Sequence, residues 1–265
     1  MREYTYGPFQ SRRLKLSLGI DVLPRKKLCT YDCVYCEIGP TQQNRLVSPE
    51  YRIKAPPKPD FRKELRDILK YVPHLNSITF GYNGEPTLNA NLLDFLKIAK
   101  DVRNEMKWED KPPKLTLFTN SSTLHYDEIR KIVAEFDLVL AKLDAAIEDT
   151  FLRTCRPHPK VPSIDTIIDS LVKLKKIMNK GHELAIQCLI YNSYKEDFIP
   201  NHHEENIIKL GKAIKKIKPD QVQIYSIARI PAQYFVFAID EDKKKEITEK
   251  LNQIIDDPNV KVNYY

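Results

Sequence analysis

Six short apolar runs, each followed by a stretch of helical spacing, constrain this chain more than any other feature. The runs are Leu16–Asp21, Ser77–Tyr82, Leu115–Thr119, Leu138–Leu143, Leu184–Ile190 and Gln221–Ser226. Apolar residues recur every three or four positions over Phe61–Val72, Leu92–Met106, Ile164–Met178, Ile207–Ile217 and Lys243–Ile255, which predicts amphipathic helices. Strands that are apolar almost throughout are buried on both faces, and helices between them supply the cover. The pattern therefore predicts an α/β fold with a parallel sheet. Six units are too few for a closed eight-stranded barrel, but they can form an open, partial one.

In parallel architectures the functional groups gather at the carboxyl ends of the strands. Those positions are polar or glycine-bearing here: Gly81-Tyr-Asn-Gly-Glu-Pro-Thr87, Thr119-Asn-Ser-Ser122, Lys142-Leu-Asp144 and Ala228-Arg-Ile-Pro231. One cavity built from several loops would leave such a trace. Asn120 ends its strand, where it could bind a ligand or cap the next helix. Lys142 and Asp144 alternate and so face one way, as cavity lining or as a mutual ion pair. Gln187 is a lone amide in an apolar strand, facing the barrel interior as a satisfied core amide or, the reading we prefer, as a ligand. Arg12, Arg13 and Arg229 flank the first and last strands, where a guanidinium could meet a phosphate or carboxylate.

The first strand leads into Leu28-Cys-Thr-Tyr-Asp-Cys-Val-Tyr-Cys-Glu-Ile38, which holds three of the five cysteines. Their spacing, C-x3-C-x2-C at Cys29, Cys33 and Cys36, exceeds one disulfide and falls one short of a closed tetrahedral site. A zinc site would need distant closure by His74 or His158. An electron-carrying ferredoxin usually has four thiolates per cluster, whereas Cys155 and Cys188 lie far along the chain. Three thiolates on one loop suit three irons of a cubane cluster and leave the fourth iron open.

With Tyr35 just before the last cysteine, this segment resembles the cluster motif of the radical S-adenosylmethionine superfamily. Asn83-Gly84-Glu85-Pro86 is similar to that superfamily's Gly-Gly-Glu motif, with Asn83 standing where glycine is common. The resemblance implies a partial (β/α)6 TIM-like barrel with outer helices, one [4Fe-4S] cluster on the three cysteines, and S-adenosylmethionine chelated to the open iron. Gly84 would let the ligand approach the backbone while Glu85 accepts from its amino group. Tyr35, Asn120, Lys142, Asp144, Gln187 and Arg229 complete the expected cofactor-binding set. An external donor such as ferredoxin or flavodoxin would supply the electron. The phrases Ser11-Arg-Arg-Leu14, Gly19-Ile-Asp21 and Tyr225-Ser-Ile-Ala-Arg229 resemble a branch related to the wyosine synthases of tRNA modification. That family uses a second cluster on further cysteines, and this chain has no second trio.

Composition agrees with a single domain over 1–265, with the barrel core at about 14–232 and a C-terminal helix and tail at 233–265. The net charge of +7 permits an RNA or nucleotide substrate, ranked above a small metabolite or peptide. Neither a membrane span nor a secretory leader is expected, so a cytoplasmic location follows.

Overall fold

The computed structural model describes residues 2–23 and 26–265. Its centre is an eight-stranded sheet in the order β1-β2-β3-β4-β5-β6-β8-β10. The six expected strands are β2 (Lys15–Ile20), β3 (Ser77–Phe80), β4 (Lys114–Thr119), β5 (Leu138–Lys142), β6 (Glu183–Leu189) and β8 (Gln221–Tyr225). All neighbouring pairs among them are parallel. The expected helices are α1 (Pro59–Leu69), α2 (Leu92–Glu105), α5 (Ile164–Ile177), α6 (Glu204–Ile217) and α7 (Glu241–Ile255). The result is a partial (β/α)6 barrel with its helices outside.

Further elements extend this frame. β1 (Thr5–Ser11) pairs antiparallel with β2, and β10 (Lys261–Tyr264) adds a parallel strand beside β8. Two short strands, β7 (Tyr191–Ser193) and β9 (Val236–Ala238), pair as a separate ribbon. Two helices of eight residues, α3 (Asp127–Ala134) and α4 (Glu148–Cys155), follow β4 and β5.

The main core lies between helices and sheet. Phe61, Leu65 and Leu69 of α1 recur every four residues, so one stripe is buried while the charged face stays in water. Each such side chain contributes about 1.5–3 kcal/mol through burial. Alternation sends the other strand side chains into the barrel, where the lining is mixed. Leu14, Leu138, Leu140, Ala185 and Phe118 form a small apolar cluster. Beside it, buried hydroxyls link Ser17 to Thr79 at 2.6 Å and Ser77 to Thr116 at 2.8 Å. Among the described residues, no helix is long and apolar enough to cross a membrane.

Candidate functional site

The cysteine segment leaves β2 and folds over the carboxyl ends of the strands, fastened on several sides. Leu28 forms a parallel bridge with Gly84: its N–H donates to the Asn83 carbonyl at 2.8 Å, and its carbonyl accepts from the Glu85 N–H at 3.0 Å. The Cys29 carbonyl accepts from the Val47 N–H at 3.0 Å. Farther along, the N–H groups of Asp32 and Val34 donate to the carbonyls of Cys155 and Thr154, both at 3.0 Å. These are otherwise unpaired carbonyls at the end of α4, so the loop caps that helix. The loop is thus backed by the β3-end loop and by α4.

Gly84 is held tightly against the cysteine loop. A Cβ at this position would lie 1.8 Å from the Leu28 carbonyl oxygen, and its φ is +126°. What approaches the Gly84 backbone closely is the cysteine loop. Glu85 is likewise engaged within the fold. Its carboxylate is fully buried, with Oε1 accepting from Thr119 Oγ1 at 2.9 Å and from Thr87 Oγ1 at 2.6 Å. Oε2 accepts from the Asn120 N–H at 2.6 Å. Burial pushes this carboxyl above its ordinary pKa, while the donors pull the other way. The side chain locks the β3 and β4 loops together and is already occupied within the fold.

Asn120 joins that lock to the cysteines. Its amide donates to Thr30 Oγ1 at 2.8 Å and approaches Cys29 Sγ at 3.4 Å, while its Oδ1 accepts from the Ser122 N–H at 3.0 Å. Lys27, which sequence reasoning missed, places Nζ 3.1 Å from Cys36 Sγ and 2.6 Å from the Gly39 carbonyl. Its position two residues before Cys29 was the available signal. Burial, with Cys33 beside it, pushes the Cys29 thiol up to about 12, and burial likewise raises Cys36. Cys33 differs: the neighbouring Cys155 thiol holds it below its ordinary value, and Cys155 itself is pushed well above.

Two of the three cysteine thiols on the loop have N–H donors beside them. Among the described residues, no three His, Cys, Asp or Glu side chains converge on a single metal position. His74 instead faces Glu109 at 3.1 Å on the surface, and the His158 ring accepts from the Lys160 N–H. Thiolates on three corners of a cubane stand farther apart than around one zinc ion. Neighbouring N–H groups on Cys29 and Cys36 favour their charged forms.

Tyr35, Lys142 and Asp144 come together as a second cluster beneath the loop. The Tyr35 hydroxyl donates to Asp144 Oδ2, and the Leu189 N–H donates to Oδ1 at 2.7 Å. Lys142 Nζ lies 3.5 Å from Asp144, 4.6 Å from the Tyr35 ring centre and 2.9 Å from the Tyr225 hydroxyl. Burial opposes the charge of Lys142, yet Asp144, Tyr225 and Cys33 together outweigh it and the ammonium is raised above its ordinary range. A narrow cleft borders this cluster, lined in part by Tyr31, Asn120, Lys142, Asp144 and Cys155.

Two expected ligands stand apart. Gln187 is 1% exposed, and its amide donates to Gln223 Oε1 at 2.9 Å, which pairs it with the next strand inside the barrel. Arg229 is exposed and forms a surface pair with Glu37 at 3.3 Å, too screened to contribute much.

Replacing Glu85 by Ala should therefore cost stability before it touches ligand binding. The Asn120 N–H and two threonine hydroxyls would be left buried without their acceptor, and the loss should reach about 3–5 kcal/mol. Urea unfolding of cluster-free protein reads it; an unchanged midpoint with weakened S-adenosylmethionine binding would restore the ligand role.

No family model matches the chain. It is 29% identical over 268 residues to a UPF0026 protein of Methanocaldococcus jannaschii, covering 97% of this chain and 74% of that one. A UPF0026 protein of Helicobacter pylori is 26% identical over 240 residues, covering 90% and 70%. A protein of Brachyspira hyodysenteriae named GTPase Obg is 29% identical over 259 residues, covering 96% of this chain but 35% of that one. Among solved structures, Streptococcus suis SuiB bound to S-adenosylmethionine superposes with a TM-score of 0.59 at 14% identity, covering 91% of this chain and 48% of that one. The protein anSMEcpe with bound AdoMet gives 0.58 at 14%, covering 89% and 59%. HydG, a maturase of the [FeFe]-hydrogenase, gives 0.59 at 12%, covering 93% and 50%. The chain spans about half the length of these structures. What the likeness shows is the fold: this chain has the partial-barrel architecture of proteins solved with S-adenosylmethionine bound.

Proposed function

We propose that this chain is a single-cluster radical S-adenosylmethionine enzyme. The observation that carries the reading is the trio Cys29, Cys33 and Cys36 on one loop above the strand ends, beside Asn120 and the Gly84-Glu85 turn. Two of the superposed structures are described as holding S-adenosylmethionine, which supports the choice of cofactor. When bound, the cluster would supply an electron that opens the sulfonium, giving methionine and a 5′-deoxyadenosyl radical able to take hydrogen from a substrate.

The chain's own residues have separable tasks. The three cysteines would hold the cluster, with Lys27 and Asn120 stabilising thiolate charge through N–H contacts. Glu85 and Gly84 position the loop rather than bind the cofactor. Backbone carbonyls of the β3-end loop would accept from the methionyl amine. Lys142 and Asp144 fix Tyr35 and border the cleft. For substrate we propose RNA or a nucleotide, in keeping with the net charge of +7 and with the wyosine-synthase-like phrases. A ferredoxin or flavodoxin would be the electron donor.

Anaerobic reconstitution tests the cluster. It should yield about four irons and four sulfides per chain, with the brown colour of thiolate-bound iron. A colourless, zinc-loaded protein from the same treatment would overturn the reading.

A further inference from the structure

We propose that the barrel interior holds an oxyanion, a phosphate or carboxylate group of the substrate, between Arg13 and Lys142. Its role as a substrate anchor rests on the enzyme reading above, whereas the site itself rests on the residues that form it.

Arg13 lies in the turn between β1 and β2, outside any regular element. The next residue, Leu14, packs against Leu138, Leu140, Ala185 and Phe118, which line the interior from β4, β5 and β6. The turn is thereby tucked into the barrel, and Arg13 goes with it. Its guanidinium carbon sits 4.1 Å from the centre of the Tyr225 ring. The Tyr225 hydroxyl accepts from Lys142 Nζ at 2.9 Å, and that nitrogen is 5.4 Å from the same ring centre. Two cations from opposite parts of the barrel therefore share one aromatic ring at the carboxyl end of β8.

Their partners do not balance. Lys142 has Asp144 at 3.5 Å, but the oxygens of Asp144 are also taken by the Tyr35 hydroxyl and the Leu189 N–H. Arg13 Nη1 is buried and has no hydrogen-bond partner among the described residues. A ring face attracts a cation but offers a guanidinium N–H no lone pair in its plane. An unsatisfied N–H of this kind is costly to bury, and more so when charged. Around the Tyr225 ring, two cations face the single carboxylate of Asp144. An anionic oxygen acceptor removes both defects together. The planar guanidinium fork matches the paired oxygens of a carboxylate or phosphate, and the Lys142 ammonium supplies a point charge beside it.

Calorimetric titration of the full chain with inorganic phosphate, and separately with acetate, tests the site. At least one probe should bind saturably, one per chain. Arg13→Met should weaken that binding about ten- to a hundredfold. Arg12→Met, the exposed neighbour, should bind as the wild type does. Arg13→Lys keeps the charge without the fork and should fall between, which preserves the test if Arg13→Met does not fold. Saturation by phosphate alone assigns a phosphorylated substrate, by acetate alone a carboxylated one, and by both an oxyanion site without shape selection. Failure of both probes to saturate, or binding indifferent to Arg13→Met, overturns the proposal. The enzyme reading fails separately: oxyanion binding in a protein that makes no 5′-deoxyadenosine leaves the site standing and removes the radical chemistry.

Discussion

Replacing Gly84 by Ala should unseat the cysteine loop and cost about 4 kcal/mol or more of stability. The added methyl would meet the Leu28 carbonyl oxygen at 1.8 Å and the carbonyl carbon at 2.5 Å, both backbone atoms that no rotamer change can move aside. A φ of +126° adds strain for any residue with a Cβ. Relief requires parting Leu28 from residues 83–85, which breaks the two bridge hydrogen bonds at 2.8 and 3.0 Å. Overpacking costs about 1–3 kcal/mol and each lost hydrogen bond about 1 kcal/mol, with the backbone strain on top. Urea unfolding of cluster-free protein measures the loss, and iron content after reconstitution should fall with it. Gly39→Ala is the comparison: its φ is +83°, but nothing lies within 4 Å of the added methyl. That change should cost only about 1–2 kcal/mol. Equal stability of the two variants would mean that the loop gives way more easily than the structure implies.

Replacing Cys29, Cys33 or Cys36 singly by Ala should abolish the iron–sulfur chromophore, because a cubane held at only two corners is not retained against competing thiols and solvent. Cys155 makes the sharper comparison. It is 4% exposed and neighbours Cys33, close enough to ask whether it is a fourth ligand. Cys188 is fully buried in β6. The Cys155→Ser, Cys188→Ser double variant should keep its iron and sulfide at wild-type levels. Iron lost from the double variant as completely as from Cys33→Ala would point to a closed, four-thiolate cluster and to electron transfer rather than enzymatic chemistry.

The elements legible in the sequence are those that bury one continuous apolar stripe. β3, SITF, is buried at every position, and α5 shows Ile164, Ile167, Ile168, Leu171 and Leu174 at helical spacing. α4 escaped notice because its buried face includes Thr150, Thr154 and Cys155 along with Phe151, so the apolar period is broken. α3 is short and buries Arg130, whose guanidinium donates to the Leu124 carbonyl at 2.6 Å. β1 and β10 are edge strands on which only Thr5 is buried, and β1 carries Gly7 and Pro8; such strands are specified by backbone pairing more than by pattern.

At the site, residue types were legible and their partners were not. A glycine at a strand end reads as room for a ligand, but here Leu28, 56 positions earlier, fills that room. Glu85 and Gln187 looked available because, Thr87 apart, their partners lie far along the chain. Their partners, Thr119, Asn120 and Gln223, arrive from neighbouring strands only when the sheet forms. The Lys142–Asp144 spacing left cavity lining and ion pair equally open, and the structure supplies the pair together with a bordering cleft.

The central claim is that the three-cysteine loop makes an open cluster that acts on S-adenosylmethionine. Reconstituted protein, reduced with dithionite under anaerobic conditions and mixed with S-adenosylmethionine, should slowly release 5′-deoxyadenosine and methionine even without substrate. The Cys33→Ala variant should release neither. Fully loaded, reducible protein that leaves S-adenosylmethionine intact would contradict the account and mark the chain as an electron carrier.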